Sequence, residues 1–368
     1  MSRLALASLS LLAYTYVGYP ALVTALARVA GRPSKRDPSY EPTVSVLIPV
    51  YNAKSYVRAK LESLVAQTYP RDKVQILVYS DASTDGSDDD VRAFEGQGVT
   101  LVRGEKRAGK PTALNVLRPQ ATGEILVLTD IRQPLTPNAI RDLVSHFADP
   151  EVGCVSGNLE LVGGTGAGFY WKYENFIRKQ EARFRGMVGV TGPLYAIRAA
   201  DLGEVPTDVI LDDMFIPLKL RLEGKRLLLE EAAIAQDDAF EDDREKGRKV
   251  RTLAGNFQLF EKLPALLSPS KNPIFLETFS HKLLRLAGPA LLGGLGAGTL
   301  HGALFGKSVL ERTAMRALLV GEGAFVVLAL LGPKAGAPGR LARTFVVLNT
   351  AAVEGFVRYV RGRQEVTW

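Results

Sequence analysis

The segment VQILVYSD at residues 74–81 joins a continuous apolar run to a single carboxylate. The segment GEILVLTD at residues 123–130 repeats this arrangement, and VILDD at residues 209–213 is a shorter version of it. A carboxylate just past the C-terminal end of a buried strand lies at the sheet edge where open α/β folds bind ligands. Carboxylates that crowd together there need a nearby positive charge. Asp81, Asp130 and Asp213 therefore predict a crevice that binds a metal ion and a phosphate-bearing substrate.

Around these residues, apolar segments alternate with segments of helical spacing from about Glu41 to Asp238. Near-continuous runs of Val, Ile and Leu are typical of strands that are buried on both faces. The predicted strands are Val44–Val50, Val74–Ser80, Val99–Arg103 and Glu124–Asp130, and the predicted helices are Ser55–Gln67, Ser87–Glu95 and Lys110–Leu117. Strand and helix in alternation indicate an α/β domain with a mainly parallel sheet.

The composition limits the possible partners. The 368 residues include 46 Lys and Arg against 39 Asp and Glu, a net charge of +7. No long basic run is interleaved with aromatic residues, which argues against a nucleic acid polymer as partner. Basic loops on the cytoplasmic side of a membrane explain the charge better. The single cysteine, Cys154, cannot form an intramolecular disulfide, which fits a reducing compartment.

The N-terminal segment is apolar from Leu4 to about Ala27 and carries no charge until Arg28. It exceeds the roughly 20 residues that cross a bilayer as a helix, and no clear signal-peptide cleavage site follows it. The basic residues after it outnumber Arg3 before it, which places the next domain in the cytoplasm; they are Arg28, Arg32, Lys35 and Arg36. A retained membrane anchor is the first interpretation, and an uncleaved amphipathic helix on the membrane surface is the second.

The C-terminal third contains three further apolar segments, Leu283–Leu304, Ala317–Gly332 and Phe345–Val360. The first two are rich in Leu, Ala and Gly, as membrane helices are. The third carries Glu354 and Arg358 and is either a short span or an interfacial helix. We expect a multi-pass protein of the cell membrane with an N-terminal anchor (1–31), a linker (32–42), a cytoplasmic α/β domain (43–238), amphipathic interfacial helices (239–282) and a C-terminal region of two or three spans (283–368).

VSVLIPVYN at residues 44–52, followed by SDASTDGS at residues 80–87, resembles the family 2 glycosyltransferases, which include synthases of cellulose, hyaluronan and poly-N-acetylglucosamine. The resemblance implies that residues 43–238 form the catalytic domain, with the Rossmann-like nucleotide-sugar-binding fold called GT-A. It also implies that Pro49, Tyr51 and Asn52 belong to the nucleotide-sugar site. Asp81 would then accept a hydrogen bond from a ring N–H of the nucleobase.

GEKRAGKPTALN at residues 104–115 is similar to the family's GK…ALN segment. Lys110 opens a helix there, so its ammonium and the free backbone N–H groups could both face a diphosphate. LVLTDIRQ at residues 126–133 stands at the family's metal-binding Asp-x-Asp. A divalent cation that bridges diphosphate oxygens needs hard oxygen ligands, so Asp130 is the expected ligand of Mg²⁺ or Mn²⁺. Arg132 replaces the second acid, and it either neutralises phosphate charge or forms a salt bridge with a neighbour.

TGPLYAIR at residues 191–198 and VILDDMF at residues 209–215 complete the motif order. By the resemblance, Asp213 is the catalytic base of an inverting transfer. One carboxylate takes the proton of the acceptor hydroxyl while the sugar carbon is attacked from the opposite face. Asp212 either belongs to the same site or caps the helix that follows.

RKVRTLAGNFQ at residues 248–258 stands where processive members of the family carry Gln-x-x-Arg-Trp. Arg251 matches the arginine and could bind the leaving diphosphate, since a guanidinium binds phosphate through two N–H donors. Arg248 replaces the glutamine. Thr252 replaces the tryptophan on which the terminal sugar of a polymer would stack. The sequence therefore predicts sugar transfer and leaves processive synthesis open.

Together these motifs predict an inverting, membrane-anchored transferase. It would move a sugar from a nucleotide-sugar, a UDP-sugar first, to a hydroxyl of a lipid or polysaccharide acceptor in envelope synthesis. Two alternatives remain. In one, the acceptor is a polyprenyl phosphate. In the other, the domain is a degenerate, nucleotide-binding membrane subunit, an interpretation that only Arg132 favours.

Overall fold

The sheet of the central domain consists of strands that begin where the apolar runs begin. The computed structural model describes residues 2–162, 168–238, 242–364 and 366. The strands in this part of the chain are β1 (Val44–Val50), β2 (Val74–Ser80), β3 (Val99–Arg103), β4 (Ile125–Thr129), β5 (Val152–Val162), β6 (Leu194–Arg198) and β7 (Arg226–Asp238). The first four match the predicted bounds to within one residue. β1, β2 and β4 lie inside the sheet, where apolar runs are buried on both faces, whereas β3 is an edge strand and is partly exposed.

These strands form one sheet in the order β3-β2-β1-β4-β6-β5-β7. β1 pairs in parallel with β2 and β4, β2 with β3, and β5 with β7. β6 runs antiparallel to both β4 and β5. The prediction of a mainly parallel sheet is confirmed. The strand order reverses between β1 and β4, which is where doubly wound sheets open a crevice for a ligand.

Helices cover both faces of the sheet and extend from it at both ends of the chain. They are α1 (Arg3–Ala13), α2 (Tyr19–Ala30), α3 (Lys54–Val65), α4 (Ser87–Arg92), α5 (Lys110–Leu117), α6 (Ala139–Val144), α7 (Gly168–Phe184), α8 (Asp212–Leu222), α9 (Asp242–Lys262), α10 (Phe275–Glu277), α11 (Leu284–Leu286), α12 (Gly288–Phe305), α13 (Val309–Leu331) and α14 (Gly336–Val360). Successive residues of β1 pack into two different hydrophobic cores, one on each face of the sheet. Val46 packs in the core that contains α3 and α6, and Leu47 in the core that contains α5 and α8.

Two helical stretches, Arg3–Ala30 and Val309–Val360, are long and apolar enough to cross a membrane. The pair Phe275–Leu286 and Gly288–Phe305, bent by 61°, makes a third if it is counted as one span. The expected interfacial region begins at residues 239–241, which lie outside the described residues. The region then contains the helix α9, which ends at Lys262, and the start of the helical segment Phe275–Leu286.

The stretch Val309–Val360 reverses its direction between α13 and α14. The turn contains Gly332 and Gly336, both at positive φ, a conformation that glycine adopts without steric cost. The rings of Phe325 and Phe345 then meet at 5.6 Å between their centroids. The stretch is therefore a pair of helices packed side by side.

The helix α12 packs closely on α1 through glycine. A Cβ added to Gly298 would lie 2.5 Å from the backbone nitrogen of Ala5, and one added to Gly294 would lie 2.8 Å from Oγ of Ser8. Small residues at a contact between apolar helices let the two backbones approach each other. This contact joins the N-terminal helix to the C-terminal helices.

We expect Gly298→Ala to lower the melting temperature of the protein in detergent, because the added methyl group overpacks the contact with Ala5 at about 1–3 kcal/mol. Gly293→Ala on the same helix is the matched control, since a Cβ there meets nothing within 4 Å. Alanine at this position gains about 1 kcal/mol of helix propensity. Equal melting temperatures for the two variants would show that α1 and α12 do not pack through Gly298.

Candidate active site

Hydrogen bonds join the C-terminal end of β4 to the residue just before the N-terminal end of β6, at one edge of the sheet. The hydroxyl of Thr129, the last residue of β4, donates to the carbonyl of Pro193 at 2.6 Å. The backbone N–H of Asp130 donates to the same carbonyl at 3.4 Å. Because β6 is antiparallel, it starts at the edge where its neighbours end. The turn that contains Gly192 therefore lies beside Asp130.

A lysine ammonium lies between two of the predicted acids. Lys110 opens α5, and its Nζ is 2.9 Å from Oδ1 of Asp130 and 3.2 Å from Oδ2 of Asp212. Burial alone would lower the pKa of this lysine, but the three carboxylates of Asp130, Asp212 and Asp213 raise it above its ordinary value. Lys110 is therefore a permanent positive charge. Asp212, at the first position of α8, directs its carboxylate to this ammonium.

Asp213 lies directly behind the turn into β6. A Cβ on Gly192 would lie 2.5 Å from Oδ2 of Asp213, so glycine at this position leaves room for the carboxylate. Burial and the neighbouring Asp212 raise the pKa of Asp213 to about 6, against the opposing effects of Lys110 and Arg251. A carboxyl group that titrates close to neutral pH is suited to general-base chemistry.

Asp81 organises the loop that leads to Lys110. It follows β2 and is only 1% exposed. Its two carboxylate oxygens accept the backbone N–H groups of Ala108 and Gly109, at 2.7 and 2.9 Å. A carboxylate retains further lone pairs when each oxygen accepts one bond. The hydrogen bond from Asp81 to a nucleobase stays a prediction.

The predicted nucleotide residues Pro49, Tyr51 and Asn52 follow one another at the end of β1. Pro49 lies within the strand, and the ring of Tyr51 lies 4.0 Å from the guanidinium carbon of Arg107. Asn52 has a φ of 45°, and its side-chain oxygen accepts the backbone N–H of Thr84 at 2.8 Å. The loops after β1 and β2 are thereby joined on the β1 side of the crevice.

Arg132 pairs with a carboxylate that the sequence analysis missed. Asp237, near the end of β7, is buried and forms an ion pair with Arg132. Nε2 of Gln133 donates to the same carboxylate oxygen at 2.8 Å. Of the two interpretations of Arg132, the structure therefore shows the salt bridge to a neighbour. Nothing in the strand pattern marked Asp237, because polar residues interrupt the run RLLLEEAAIAQDD at residues 226–238.

Arg251 reaches the site from α9. Its guanidinium donates to the carbonyls of Ile210 and Val366, at 3.1 and 3.2 Å. Ile210 precedes Asp213 by three residues, and Arg251 opposes the rise in the pKa of Asp213. Arg248, one turn earlier on the same helix, is exposed. The structure thus brings Arg251 toward the expected base.

Lys60, on α3, is a second site residue that sequence reasoning missed. It is fully buried, and its Nζ donates to Oγ1 of Thr129 at 2.7 Å and to the backbone carbonyl of Gln133 at 2.6 Å. These two residues stand on either side of Asp130 in the chain. Burial lowers the pKa of Lys60 to about 7, against the attraction of Asp130. Lys60 therefore fixes both ends of the loop that presents Asp130.

The donor set at this edge fits a cation that is shared with a substrate. Asp130 keeps 38% of its side chain exposed. In the part of the chain that the structure describes, no group of three His, Cys, Asp or Glu side chains could hold a metal ion. Mg²⁺ in phosphate sites commonly binds one or two carboxylates and takes its other ligands from phosphate and water. Asp130 fits that pattern.

Comparison with known proteins agrees with this geometry. The profile described as Glycosyl transferase family 2 matches residues 45–202. The chain is 30% identical over 176 residues to Glycosyltransferase AglE of Haloferax volcanii, which covers 46% of this chain and 58% of that protein. It is 24% identical over 202 residues to Poly-beta-1,6-N-acetyl-D-glucosamine synthase of Staphylococcus aureus, which covers 52% of this chain and 48% of that protein. The chain thus spans about half the length of these curated relatives.

A solved structure is similar over nearly the whole chain. Mannosyltransferase PcManGT from Pyrobaculum calidifontis, in complex with GDP-Man and Mn²⁺, has a TM-score of 0.78 and 27% sequence identity to this chain. The similarity covers 98% of this chain and 99% of that one. It extends through the helices at both ends of the central domain.

We expect Lys60→Met to weaken the binding of a nucleoside diphosphate with Mn²⁺ by roughly 10- to 100-fold, the usual effect of removing a residue that orients a metal ligand. The variant loses both hydrogen bonds that hold the ends of the Asp130 loop. The control is Arg58→Met, which removes an exposed cation from the same helix. Isothermal titration calorimetry with GDP and UDP gives the affinities. Equal affinities for both variants would rule out this role of Lys60.

Proposed function

We propose that the chain, whose residues 45–202 match the Glycosyl transferase family 2 profile, transfers a sugar from a nucleotide-sugar to an acceptor hydroxyl with inversion at the sugar carbon. The observation that carries this proposal is the carboxyl group of Asp213, whose pKa is raised to about 6 close to the ammonium of Lys110. Such a group is ionised at neutral pH and can still receive a proton during the reaction. A general base has this property.

The proposed reaction forms one bond and breaks another. The acceptor oxygen bonds to the anomeric carbon while the bond from that carbon to the diphosphate oxygen breaks. Asp213 takes the acceptor proton, and the nucleoside diphosphate leaves with the electron pair. Lys110 and Arg251 stabilise the negative charge that grows on the leaving group, because fixed cations act strongly in a partly buried site. Attack and departure on opposite faces invert the sugar carbon.

A bound divalent cation would neutralise further charge on the diphosphate. Asp130 is the residue that would hold it, with Lys60 keeping the Asp130 loop in place. PcManGT was solved with Mn²⁺, which favours testing Mn²⁺ before Mg²⁺. The same structure contains GDP-Man, so GDP-mannose stands beside the UDP-sugars among the first donors to test.

The proposed acceptor is a lipid or polysaccharide at the membrane. Two candidate spans, Arg3–Ala30 and Val309–Val360, lie on either side of the domain in the chain. The basic residues that follow α2 favour a cytoplasmic domain by the distribution of charge around membrane helices. A product of the cell envelope follows from this placement.

We expect Asp213→Asn to reduce the rate of sugar transfer by about 10²–10⁴, because the amide cannot accept the acceptor proton. The matched control is Asp208→Asn, which removes an exposed carboxylate that pairs with Lys262 at 2.7 Å. Full-length enzyme is supplied with a panel of nucleotide-sugars and membrane extract, and the transferred sugar is counted.

The pH dependence supplies the second readout for the same prediction. Asp213 must be ionised to act, so kcat/KM should be constant above the pKa of about 6 and fall about tenfold per pH unit below it. The decline at low pH should disappear from the residual activity of Asp213→Asn. A variant as active as the wild type would instead indicate an acceptor that needs no base, such as a phosphate.

We expect a chelator to abolish transfer, and Mn²⁺ or Mg²⁺ to restore it, since Asp130 offers one carboxylate to a cation that the substrate diphosphate must help to bind. Asp130→Asn should raise the Mn²⁺ concentration that gives half-maximal activity. Asp142→Asn removes an acid on α6 that pairs with Arg36 at 2.6 Å, and it should leave this concentration unchanged. Full turnover in excess chelator would contradict the metal role of Asp130.

A further inference from the structure

Two half-buried cations near α8 form no salt bridge with any described residue. Arg178, on α7, donates to Oγ1 of Thr191 at 2.8 Å and to Oγ of Ser156 at 3.4 Å. Lys282, in the helical segment Phe275–Leu286, places its Nζ 3.9 Å from Sδ of Met214. The partners of these cations are neutral groups.

The two cations border the same place in the molecule. Thr191 precedes Gly192, the residue that leaves room for the Asp213 carboxylate, and Met214 follows Asp213. Arg178 interacts electrostatically with Asp213, and Arg178 and Lys282 are close enough to repel each other. Arg178 therefore lies beside the proposed base, and Lys282 lies beside Arg178 and the residue that follows that base.

The nearest carboxylates are already engaged with other partners. Glu174 accepts from Arg285 and contacts Nε2 of His281, the latter at 3.1 Å. Glu181 contacts Nδ1 of His281 at 2.7 Å and accepts the hydroxyl of Tyr19 at 2.6 Å. Each ring nitrogen of His281 thus faces a carboxylate. Neither of these two carboxylates forms a direct ion pair with Arg178 or Lys282.

Buried charges are unfavourable unless they are paired, and two adjacent like charges are more so. Burial is the largest influence on Arg178 and lowers its pKa below the ordinary value, although Glu174, Glu181 and Asp213 oppose this effect. An anion that enters between Arg178 and Lys282 would relieve both the desolvation and the repulsion. A guanidinium binds phosphate through two N–H donors, and an ammonium adds a compact point charge.

We propose that Arg178 and Lys282 bind a phosphoryl group of the acceptor, a phosphate-bearing membrane lipid whose hydroxyl is presented to Asp213. This inference rests on the proposed function, because it names the acceptor class for the same site. The lipid source follows from the position of Lys282, since the segment Phe275–Leu286 leads directly into the apolar helix α12. The phosphoryl group is a recognition element, and the nucleophile remains the hydroxyl.

The test measures the binding of hexyl phosphate to the full-length protein in dodecyl maltoside micelles by calorimetry. The binding is measured with Mn²⁺ and a saturating nucleoside diphosphate, GDP or UDP, present to fill the proposed nucleotide-sugar site. We expect hexyl phosphate to bind more tightly than inorganic phosphate or hexanol. Arg178→Gln and Lys282→Gln should each weaken it roughly 10- to 100-fold, the range for a charged hydrogen bond. Lys179→Gln, the neighbour on α7 that pairs with Glu231, should leave it unchanged.

Further variants separate loss of charge from loss of folding. Arg178→Lys keeps the charge and should retain most of the affinity, and each variant should keep its melting temperature and its nucleotide affinity. Unchanged hexyl phosphate binding in Arg178→Gln and Lys282→Gln would overturn the proposal. Inorganic phosphate that binds as tightly as hexyl phosphate would overturn its lipid source.

The hexyl phosphate experiment and the Asp213→Asn experiment can fail independently of each other. Hexyl phosphate binding that depends on Arg178 and Lys282 supports the anion site, whatever the activity of Asp213→Asn. If that variant keeps full activity while hexyl phosphate still binds in this way, the base assignment fails and the anion site stands. If Asp213→Asn is inactive and hexyl phosphate does not bind, the base assignment stands and the anion site fails.

Discussion

The ammonium of Lys110, 2.9 Å from Asp130 and 3.2 Å from Asp212, is the charge on which the active-site edge depends. Without it, carboxylates from β4 and α8 would face each other in a partly buried space, where like charges repel strongly. Hydrogen bonds to the backbone hold the segment that leads into Lys110. Asp81 accepts two N–H groups from the residues just before Lys110. The first acid of the motif order thereby positions the cation that the later acids require.

Two further basic side chains border this centre. Lys60 holds the loop of Asp130 from within the domain, and Arg251 approaches Asp213 from α9. Asp213 is left with a pKa of about 6, because burial and Asp212 outweigh the neighbouring cations. A site with this balance can receive a negatively charged diphosphate and still keep one carboxylate ready to take a proton. Charge complementarity and base strength therefore arise from the same set of residues.

The sequence predicted the parts of the site that local patterns encode. Apolar runs predicted the bounds of the first four strands. The position of Asp130 and Asp213 after apolar runs predicted that they lie at one edge of the sheet. Lys60 could have been found as well, since it falls on the buried stripe of α3 with Val57, Leu61 and Leu64, where a solvated lysine does not fit. Contacts between segments that are distant in the chain produce no comparable pattern in the sequence. The partner of Arg132, the carbonyls that hold Arg251 and the reversal after α13 depend on tertiary packing, which periodicity does not encode.

The hydrogen bond from the hydroxyl of Tyr19 to Glu181 joins α2 to α7 of the domain. Tyr19 and Val23 are fully buried against α7, and the backbone N–H of Arg32 donates to Arg183 at 3.0 Å. The 12 residues of α2 rise about 18 Å at 1.5 Å per residue. Because α2 is the C-terminal part of the candidate span Arg3–Ala30, these contacts fix the direction of that span relative to the domain. A domain fixed in this way would present one constant side to a lipid surface, instead of turning freely on a linker.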